Sequence, residues 1–400
     1  MKKIKLHVNG ILHELVVNKE AVLLDVLRED LRLTGAKQSC DRKGQCGACT
    51  VIVNGQAVRS CLRKAVDLDG GEVITIEGLG TPDNPHLLQH AFVLAGAVQC
   101  GFCTPGMIMA AKALLDQNSN PSEVEIKKAL SRNLCRCTGY RKIIAAVKLA
   151  GRFLRGETTP DQVRPDPAQG LLGVSMPRPT AYLRACGTAQ FTADIPVREP
   201  LHLAAVRSPH HHALIKSIDT QPALDVPGVV GVMTAKDIRG SNRIKYIAPD
   251  QEVLCEQKVR VLGDPVVLVA ARTRTEALAG AGSVRVEYEP LAAVRTPHEA
   301  LAENAPSVHE GQSNLCSTQF QIKGNVHSAL EGSAAVVEAD FSTQLIHQSP
   351  LEPEASVAFL EGAGDEAKLV VIGRGINIHH HVMVLQDALG WEDIRYEEAF

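Results

Sequence analysis

Hydrophobic and polar residues alternate over two stretches at the start of the chain, residues 3–8 and 11–17. A period of two places successive side chains on opposite faces of a β-strand, so each stretch predicts a half-buried strand. Asn9 and Gly10 join the two stretches, and this pair suits a type I′ turn because both residues tolerate a positive φ angle. The pattern therefore predicts a β-hairpin at the N-terminus.

The pattern changes to a helical period over residues 21–33 and then returns to strand-like alternation. Residues 49–53 and 56–61 flank a second Asn-Gly pair, which predicts a second hairpin, and residues 73–76 predict a last short strand. Two hairpins packed on one helix are typical of the β-grasp fold in the form found in plant-type ferredoxins. We therefore predict a ferredoxin-like domain over residues 1–80.

A longer helical pattern governs the next part of the chain, which we predict to be a four-helix bundle over residues 81–157. Two of the helices have start signals, a Thr-Pro pair at 104–105 and Asn-Pro at 120–121. A polar N-cap residue and a first-turn proline both favour a helix start. The four predicted helices cover 85–97, 104–118, 120–132 and 138–155.

A stretch rich in Pro, Gly and polar residues follows at 158–180, and its composition predicts an exposed linker. Beyond it, strand-like and helical runs alternate. We therefore predict mixed α/β structure in a domain over 181–305 and in the beginning of another over 306–400, within an α+β chain of several domains. The strand-like runs are 201–206, 229–233, 265–271 and 283–288, with a helical run at 273–281.

Charge and hydropathy exclude some classes of function. Charged residues make up 22% of the 400 residues and the formal net charge is −3, so electrostatics give no reason to expect a nucleic acid or a membrane as partner. No apolar run approaches the ~20 residues that span a bilayer. The N-terminus is basic but alternates, which is typical of a strand and not of a signal peptide. We therefore expect a cytoplasmic protein.

Eleven cysteines are many for a cytoplasmic chain, and eight of them lie between Cys40 and Cys137. Such clustering in a reducing compartment indicates metal or redox chemistry before disulfides. The other three, Cys186, Cys255 and Cys316, are scattered, and we interpret them as ordinary thiols.

The first cysteine group lies in and after one glycine-containing loop, in the run SCDRKGQCGACTVIVNGQAVRSC. A [2Fe–2S] cluster needs thiolates that converge from a tight loop whose N–H groups can bond the sulfurs, and Gly44 and Gly47 permit such a backbone. The spacing resembles the plant-type ferredoxin pattern, but five residues instead of four separate the first two cysteines, so residues 42–43 should bulge outward. The predicted ligands are Cys40, Cys46, Cys49 and Cys61.

The second group lies in QCGFCTPG and NLCRCTGY, both at predicted helix N-termini. Free N–H groups and the helix dipole favour thiolate sulfur there. Structural zinc is the alternative for a CxxC pair, but a Cys-x-Cys pair is unusual for a zinc ribbon. The predicted ligands of a second [2Fe–2S] cluster are Cys100, Cys103, Cys135 and Cys137.

The order of these motifs resembles the molybdenum hydroxylases, the family of xanthine dehydrogenases and aldehyde oxidoreductases. LHLAAVRSPHHHALIKSIDT is similar to the α/β hammerhead domain of that family, and HQSPLEPEASVAFL to the start of its molybdopterin-binding region. The resemblance implies hydroxylation of an aldehyde or a purine-like N-heterocycle with oxygen from water. It implies that electrons pass from molybdenum through the helical-domain cluster to the ferredoxin-like one. It also places Gln99 in contact with the molybdopterin.

Two departures from the family pattern refine this expectation. No flavin domain follows the helical domain, as in the flavin-free bacterial aldehyde oxidoreductases, which implies a flavodoxin or a separate flavin subunit as electron acceptor. The sequence reaches Phe400 before the Gly-Gly-x-Phe-Gly stretch and the catalytic glutamate of the family. We therefore assign no catalytic residue and expect this chain alone to be inactive. Glu352 and Glu354 match a structural segment, and the resemblance is compatible with a homodimer.

A second hypothesis is a non-catalytic [2Fe–2S] electron carrier whose residues 180–400 dock on a separate molybdenum subunit. Two histidine runs, at 210–212 and 379–381, have a composition that can bind metal. The first lies where the family has a histidine-containing loop, and the second lies on a predicted strand, where neighbours point to opposite faces. We interpret both runs as structural.

Overall fold

The computed structural model describes residues 1–400 apart from positions 167, 169, 171, 246, 247 and 400, and only the backbone of Asp365. The chain forms two compact units, one of Met1–Asp194 with Leu345–Ala355 and one of Ile195–Gln344 with Ser356–Ala399. Positions 167, 169 and 171 of the predicted linker and position 400 of the last predicted domain lie outside the described residues. The predicted domain bounds stay predictions. No helix in the described part is long and apolar enough to cross a membrane.

A mixed five-stranded sheet begins the first unit. Its strands are Lys2–Val8 (β1), Ile11–Val17 (β2), Thr50–Val53 (β3), Gln56–Arg59 (β4) and Glu72–Ile74 (β5). The order is β2-β1-β5-β3-β4, with two antiparallel hairpins and β1 parallel to β5. The turn residues Asn9 and Gly10 have φ angles of 53° and 80°, as a type I′ turn requires. The predicted β-grasp fold is confirmed.

The helix predicted over 21–33 is shorter and wider than a regular α-helix. An α-helical turn at Leu23–Asp25 (α1) continues as a π-helical turn at Val26–Asp30, where the N–H of Leu31 donates to the Val26 carbonyl at 3.0 Å. Widening the helix brings a nearly continuous apolar run onto the core side of the sheet. The buried residues of this run are Leu23, Leu24, Val26 and Leu27.

Four helices form the predicted bundle around one apolar core. They are Leu87–Leu94 (α2), Thr104–Leu115 (α3), Glu123–Leu130 (α4) and Arg141–Leu154 (α5). The core includes Phe92, Met107, Ile108, Ile126 and Val147. Two helix starts differ from the prediction: Cys103 and not Thr104 is the N-cap of α3, and Ser122 and not Asn120 caps α4. Ser122 is the N-cap residue of α4 because it forms a reciprocal capping box with Glu125.

The rest of the first unit consists of short elements beside the bundle. Pro160–Val163 (α6) and Ala181–Ala185 (α7) are followed by a 3-10 turn at Thr192–Asp194. The segment Leu345–Ala355 belongs to this unit as well. Its Leu351 packs on an apolar cluster that contains cysteines of both predicted groups.

In the residues that the structure describes, the second unit begins with two antiparallel three-stranded sheets, one pair of short strands and two helices. Its strands are His202–Arg207 (β6), Ala213–Asp219 (β7), Val229–Met233 (β8), Arg243–Ile244 (β9), Gln251–Glu252 (β10), Lys258–Val259 (β11), Pro265–Ala271 (β12) and Arg285–Pro290 (β13). The sheet orders are β11-β7-β13 and β6-β12-β8, and β9 pairs with β10. The helices are Gln221–Leu224 (α8) and Arg274–Ser283 (α9). The predicted mixed α/β structure is confirmed. The predicted strand-like runs do not include β7, whose pairing with β13 shifts register at Lys216.

Another three-stranded sheet belongs to this unit. Its strands are Ser356–Glu361 (β14), Lys368–Gly373 (β15) and Ile394–Glu398 (β16), in that order in the sheet. The helices in this part of the chain are Pro297–Leu301 (α10), Val326–Glu331 (α11) and Ile378–Leu389 (α12). The prediction that the histidines at 379–381 lie on a strand is wrong, because they lie in the first turn of α12. Asn377 caps this helix by accepting a hydrogen bond from the His380 N–H at 3.1 Å.

Candidate iron–sulfur centres

The first cysteine group lies at one end of the β3–β4 hairpin. Thr50 pairs with Arg59 across the hairpin, so Cys49, just before β3, and Cys61, in the 3-10 turn after β4, come side by side. The amide and the hydroxyl of Ser60 both donate to the Cys49 carbonyl, at 3.2 and 2.8 Å. These contacts hold two of the four predicted ligands together.

Cys40 and Cys46 form a second sulfur pair in the preceding loop, where their thiols are hydrogen-bonded to each other. Burial opposes ionisation of the Cys40 thiol, but the backbone N–H groups of Cys46, Gln45 and Gly44 point at its sulfur and hold its pKa below the ordinary value. Three N–H groups aimed at one sulfur stabilise a thiolate. This loop therefore has the backbone geometry that an anionic cluster needs.

The five-residue gap between Cys40 and Cys46 bulges outward, as its length predicts. Asp41 and Arg42 have φ angles of 49° and 61° and are exposed. Arg42 Nη2 lies 2.7 Å from Asp25 Oδ1, which anchors the bulge to the end of α1. The surface absorbs the extra residue, and Cys40 stays in contact with Cys46.

The Cys49 and Cys61 thiols are in contact, and this contact affects the ionisation of both. A hydrogen bond from the Cys61 thiol lowers the pKa of Cys49 to about 6, and the same contact raises the pKa of Cys61. Two adjacent thiolates repel each other, so ionisation of one sulfur opposes ionisation of the other. Full ionisation of the pair therefore needs a bound cation between or beside the sulfurs.

The second cysteine group joins helix α3 to the loop between α4 and α5. The Sγ atoms of Cys100 and Cys137 are 3.5 Å apart. A hydrogen bond from the Cys103 thiol lowers the pKa of Cys135 to about 5 and raises that of Cys103. The sequence predicts that both cysteine pairs lie at helix N-termini. Cys103 is indeed the N-cap residue of α3, but Cys135 and Cys137 lie in the loop before α5, which begins at Arg141.

Tyr140 shapes the loop that carries Cys135 and Cys137. It precedes α5 with a φ angle of 65°. Its hydroxyl accepts a hydrogen bond from the Cys135 N–H at 3.0 Å and donates one to the Asn133 carbonyl at 3.2 Å. The Thr138 hydroxyl donates to Cys135 Sγ at 3.1 Å. These contacts fix the loop and supply a polar partner to a sulfur.

The arrangement of the sulfurs distinguishes between the two kinds of metal site. A structural zinc ion needs four ligands that converge on one point at about 2.3 Å, whereas a [2Fe–2S] cluster divides four thiolates between its two irons. Both groups divide into two sulfur pairs, and no three or more His, Cys, Asp or Glu side chains of the described chain converge on a single-ion site. All eleven cysteines are free of disulfides. The donor sets fit two [2Fe–2S] clusters better than zinc.

A backbone hydrogen bond connects the two groups. The N–H of Leu134, the residue before Cys135, donates to the Cys46 carbonyl at 2.8 Å. The side-chain amide of Asn133 supports this contact by donating to the Gly47 carbonyl at 2.9 Å. A path from the sulfurs of one group to those of the other thus follows the covalent bonds of the backbone and crosses one hydrogen bond.

Gly47 makes this contact possible, and we expect Gly47→Ala to loosen it. Gly47 has a φ angle of 69°, and a Cβ there would lie 2.3 Å from the Arg132 carbonyl oxygen. The free energy of unfolding should fall by more than the ~1–2 kcal/mol that an alanine costs in a left-handed conformation, because the Arg132 backbone must also move. Thermal unfolding and EPR power saturation, which reports magnetic coupling between clusters, measure the two effects.

Gly55→Ala is the matched control for this prediction. Gly55 has a φ angle of 77°, but a Cβ there would meet nothing within 4 Å. It therefore carries the conformational strain without the clash. Equal losses of stability and unchanged cluster coupling in the two variants would contradict the role assigned to Gly47.

A buried ionic cluster beside the first group was not predicted from the sequence. Lys37 Nζ contacts Asp194 Oδ2, and both side chains are only 2% exposed. Arg28 Nη2 lies 2.7 Å from the other oxygen of Asp194, and the Phe191 N–H donates to Asp194 at 3.0 Å. Burial lowers the pKa of Lys37, although Asp194 opposes this shift. No motif distinguishes Lys37 from a surface lysine, so the sequence holds no signal for this contact.

Gln99 lies at the exposed edge of the second group, next to Cys100. Its backbone carbonyl accepts a hydrogen bond from Arg178 at 2.9 Å. Its side-chain amide is exposed and makes no hydrogen bond within the described chain. Cys137 is exposed as well. This edge therefore presents an amide that is available to an external group.

The other residues that the sequence singled out have structural surroundings. Burial raises the pKa of Cys186 and of Cys255 to about 12, and Cys316 is exposed. His212 is buried, with Nδ1 2.6 Å from a backbone carbonyl oxygen. Glu354 is exposed in the segment that carries Leu351.

Profiles of three known domains match the chain. The 2Fe-2S iron-sulfur cluster binding domain matches residues 6–74, and the [2Fe-2S] binding domain matches residues 75–148. The a/b hammerhead domain of aldehyde oxidase and xanthine dehydrogenase matches residues 186–292. The chain therefore carries two [2Fe–2S]-binding domains and a hammerhead domain in the predicted order.

Full-length relatives extend this similarity over nearly the whole chain. The aldehyde oxidoreductase of Megalodesulfovibrio gigas is 40% identical over 403 residues, which cover 96% of this chain and 44% of that protein. The solved structure of the aldehyde oxidoreductase from Desulfovibrio gigas matches with a TM-score of 0.89 and 38% identity, over 100% of this chain and 46% of that one. The chain spans less than half the length of these relatives.

Smaller relatives match the cysteine-rich part alone. The nicotinate dehydrogenase small FeS subunit of Eubacterium barkeri is 53% identical over 147 residues, 37% of this chain and 93% of that subunit. The family thus includes members whose iron–sulfur part is a separate subunit. On the three domain matches and these relatives, the chain belongs to the molybdenum hydroxylase family of xanthine dehydrogenases and aldehyde oxidoreductases.

Proposed function

We propose that this chain is the iron–sulfur electron-transfer part of a molybdopterin-dependent hydroxylase. The complete enzyme oxidises an aldehyde or an N-heterocycle with water as the source of oxygen. The observation that carries the proposal is the joining of two paired-sulfur sets by the hydrogen bond from the Leu134 N–H to the Cys46 carbonyl, 2.8 Å long. Two separate structural metal sites would gain nothing from this proximity, whereas electron transfer between two clusters becomes faster as the path between them shortens.

The eight cysteines are the proposed cluster ligands. Once bound, the two [2Fe–2S] clusters supply one-electron redox chemistry. The backbone N–H groups around Cys40 and the Thr138 hydroxyl at Cys135 stabilise thiolate charge. The first cluster is held by Cys40, Cys46, Cys49 and Cys61, and the second by Cys100, Cys103, Cys135 and Cys137.

Electrons enter at the second group and leave at the first. The exposed edge formed by Gln99 and Cys137 supports this direction, because it offers a free amide to a molybdopterin. We assign Gln99 as a molybdopterin contact. At the other end, the exposed loop after Cys40 brings the first group close to the surface. An external acceptor approaches there, either a flavodoxin or a separate flavin subunit.

The proposal includes a cytoplasmic location and is compatible with a homodimer. Eleven cysteines without a disulfide are expected in a reducing compartment. The substrate is a small molecule, an aldehyde or a purine-like heterocycle.

A second candidate function is a non-catalytic electron carrier that docks on a separate molybdenum subunit. The match of the cysteine-rich part to 93% of a small FeS subunit favours this reading. The similarity of the hammerhead part to a full-length aldehyde oxidoreductase favours the first.

Spectroscopy of the full chain tests the proposed function. Purified without oxygen and reduced with dithionite, it should contain about four irons and show two distinct EPR signals of about one spin each. One signal, or bound zinc in place of iron, would contradict it. An aldehyde should reduce both clusters only when the molybdenum-binding part is present. If that part belongs to the same polypeptide as the two clusters, the first candidate holds, and if a separate molybdenum-containing chain must be added, the second holds.

A further inference from the structure

A cleft of about 350 Å³ opens beside the first cysteine group, between the β3–β4 hairpin and the loop after α4. Three arginines line it: Arg59 at the end of β4, Arg63 after Cys61, and Arg132 after α4. None of the described residues that line the cleft is acidic. Three guanidinium groups around one concave surface form a site for negative charge.

No described residue neutralises the positive charge of Arg63 and Arg132 in the cleft. Arg63 and Arg132 are exposed, and neither side chain makes an ion pair or a hydrogen bond within the described chain. Nearby cations differ: Arg42 pairs with Asp25, and Lys64 pairs with Glu20. Only part of the basic surface around the first group is therefore balanced by local carboxylates.

The cleft adjoins the first cysteine group directly. Arg59 donates a hydrogen bond to the Gly44 carbonyl, inside the loop whose N–H groups face Cys40. Leu62, next to Cys61, is 49% exposed at the same place, and a Cβ at Gly44 would lie 2.4 Å from its side chain. A partner that fills the cleft would also cover Leu62 and come close to the sulfurs.

We propose that this cleft receives carboxylate side chains of an acidic protein that accepts electrons from the first cluster. The proposal rests on the proposed function and names the partner surface for it. Arginines around an exposed apolar residue are typical of protein interfaces. Electron-transfer complexes are small and depend on electrostatic steering for rapid encounter. A free phosphate would use the arginines but gain nothing from Leu62.

The electron balance of the encounter is simple. One electron leaves the reduced cluster at the Cys40, Cys46, Cys49 and Cys61 set, which returns to its oxidised state. The flavin of the acceptor gains that electron and takes up one proton from solvent. The arginines of the cleft orient the acceptor and take no part in the redox change.

Reoxidation kinetics test the proposal. The full chain, with both clusters loaded and reduced and excess reductant removed, is mixed in a stopped-flow instrument with an oxidised acidic flavodoxin as the probe. We expect Arg63→Glu with Arg132→Glu to slow reoxidation by about tenfold or more at low ionic strength, and to flatten its salt dependence. Arg59 stays unchanged because it supports the cluster loop.

Lys3→Glu with Lys19→Glu is the matched control, since it also replaces two cations by two carboxylates, at exposed positions on β1 and just after β2, away from β4 in the sheet. It should react at the unaltered rate. A double-arginine variant with normal EPR signals and an unaltered rate would overturn the docking proposal. Binding of inorganic phosphate in the cleft with no effect on the rate at which flavodoxin reoxidises the chain would also overturn it. Absence of two EPR signals from the unaltered chain would instead overturn the proposed function.

Discussion

Replacing Cys49 by alanine will remove about two of the iron atoms and one of the two EPR signals. Cys49 is 2% exposed and lies in sulfur contact with Cys61 at the end of the β3–β4 hairpin. Removing its sulfur leaves one iron with a single cysteine from this pair, and no other cysteine of the group can reach it without breaking the Cys40–Cys46 contact. The second group does not share these sulfurs, so its signal should persist.

Two further variants make this expectation specific. Cys135→Ala should remove the other signal and leave the first, because Cys135 pairs with Cys103 in the second group. Cys316→Ala should leave both signals and the iron content unchanged, since that cysteine is exposed and remote from both groups in sequence. Loss of both signals in each ligand variant, with the fold intact by circular dichroism, would show that the eight cysteines do not form two independent sets.

The parts of this structure that sequence predicts well are those set by neighbouring residues. The two hairpins depend on Asn-Gly turns, whose φ angles are positive in the structure. The grouping of the cysteines follows from their clustering along the chain. The bundle follows from helical periodicity, and its helix ends shift by a few residues because capping side chains such as Ser122 decide them.

The parts that sequence did not predict depend on residues far apart in the chain. The pairing of Cys103 with Cys135, and of Cys100 with Cys137, requires the packed bundle. The arginine cleft combines two residues near Cys61 with Arg132. The sequence predicts a strand at the histidines 379–381 because a short apolar run has no distinctive period. The Asn377 cap, which the pattern does not reveal, favours a helix there.

The first cysteine group is fixed from three directions by these long-range contacts. Leu134 binds the Cys46 carbonyl from the side of the second group. Arg59 binds the Gly44 carbonyl from the hairpin. Lys37, whose N–H donates to the Ala48 carbonyl at 3.1 Å, ties the same loop to Asp194. We expect a loop with these contacts to change little in geometry when a bound cluster is reduced, and a small rearrangement favours fast electron transfer.

Asp194→Asn should destabilise the first unit by about 3–5 kcal/mol, the usual effect of removing one partner of a buried ion pair. Asparagine keeps an acceptor oxygen for Arg28 or for the Phe191 N–H but leaves the ammonium of Lys37, 2% exposed, without its counter-charge. For a unit of this size the apparent midpoint of thermal unfolding should fall by roughly 10 °C. Circular dichroism and the visible absorption of the clusters follow the transition.

A second substitution shows whether the stranded charge is the cause. Lys37→Met in the Asp194→Asn background removes the cation and keeps the apolar stem that packs near Phe191, so the double variant should recover most of the lost stability. Glu20→Gln breaks the exposed pair with Lys64, whose side chains are 76% and 49% exposed, and should change the midpoint little. If the double variant were as unstable as Asp194→Asn alone, the loss would come from the turn at Phe191 and not from the charge of Lys37. The ionic cluster would then be a result of the fold around the first group and not one of the contacts that hold it.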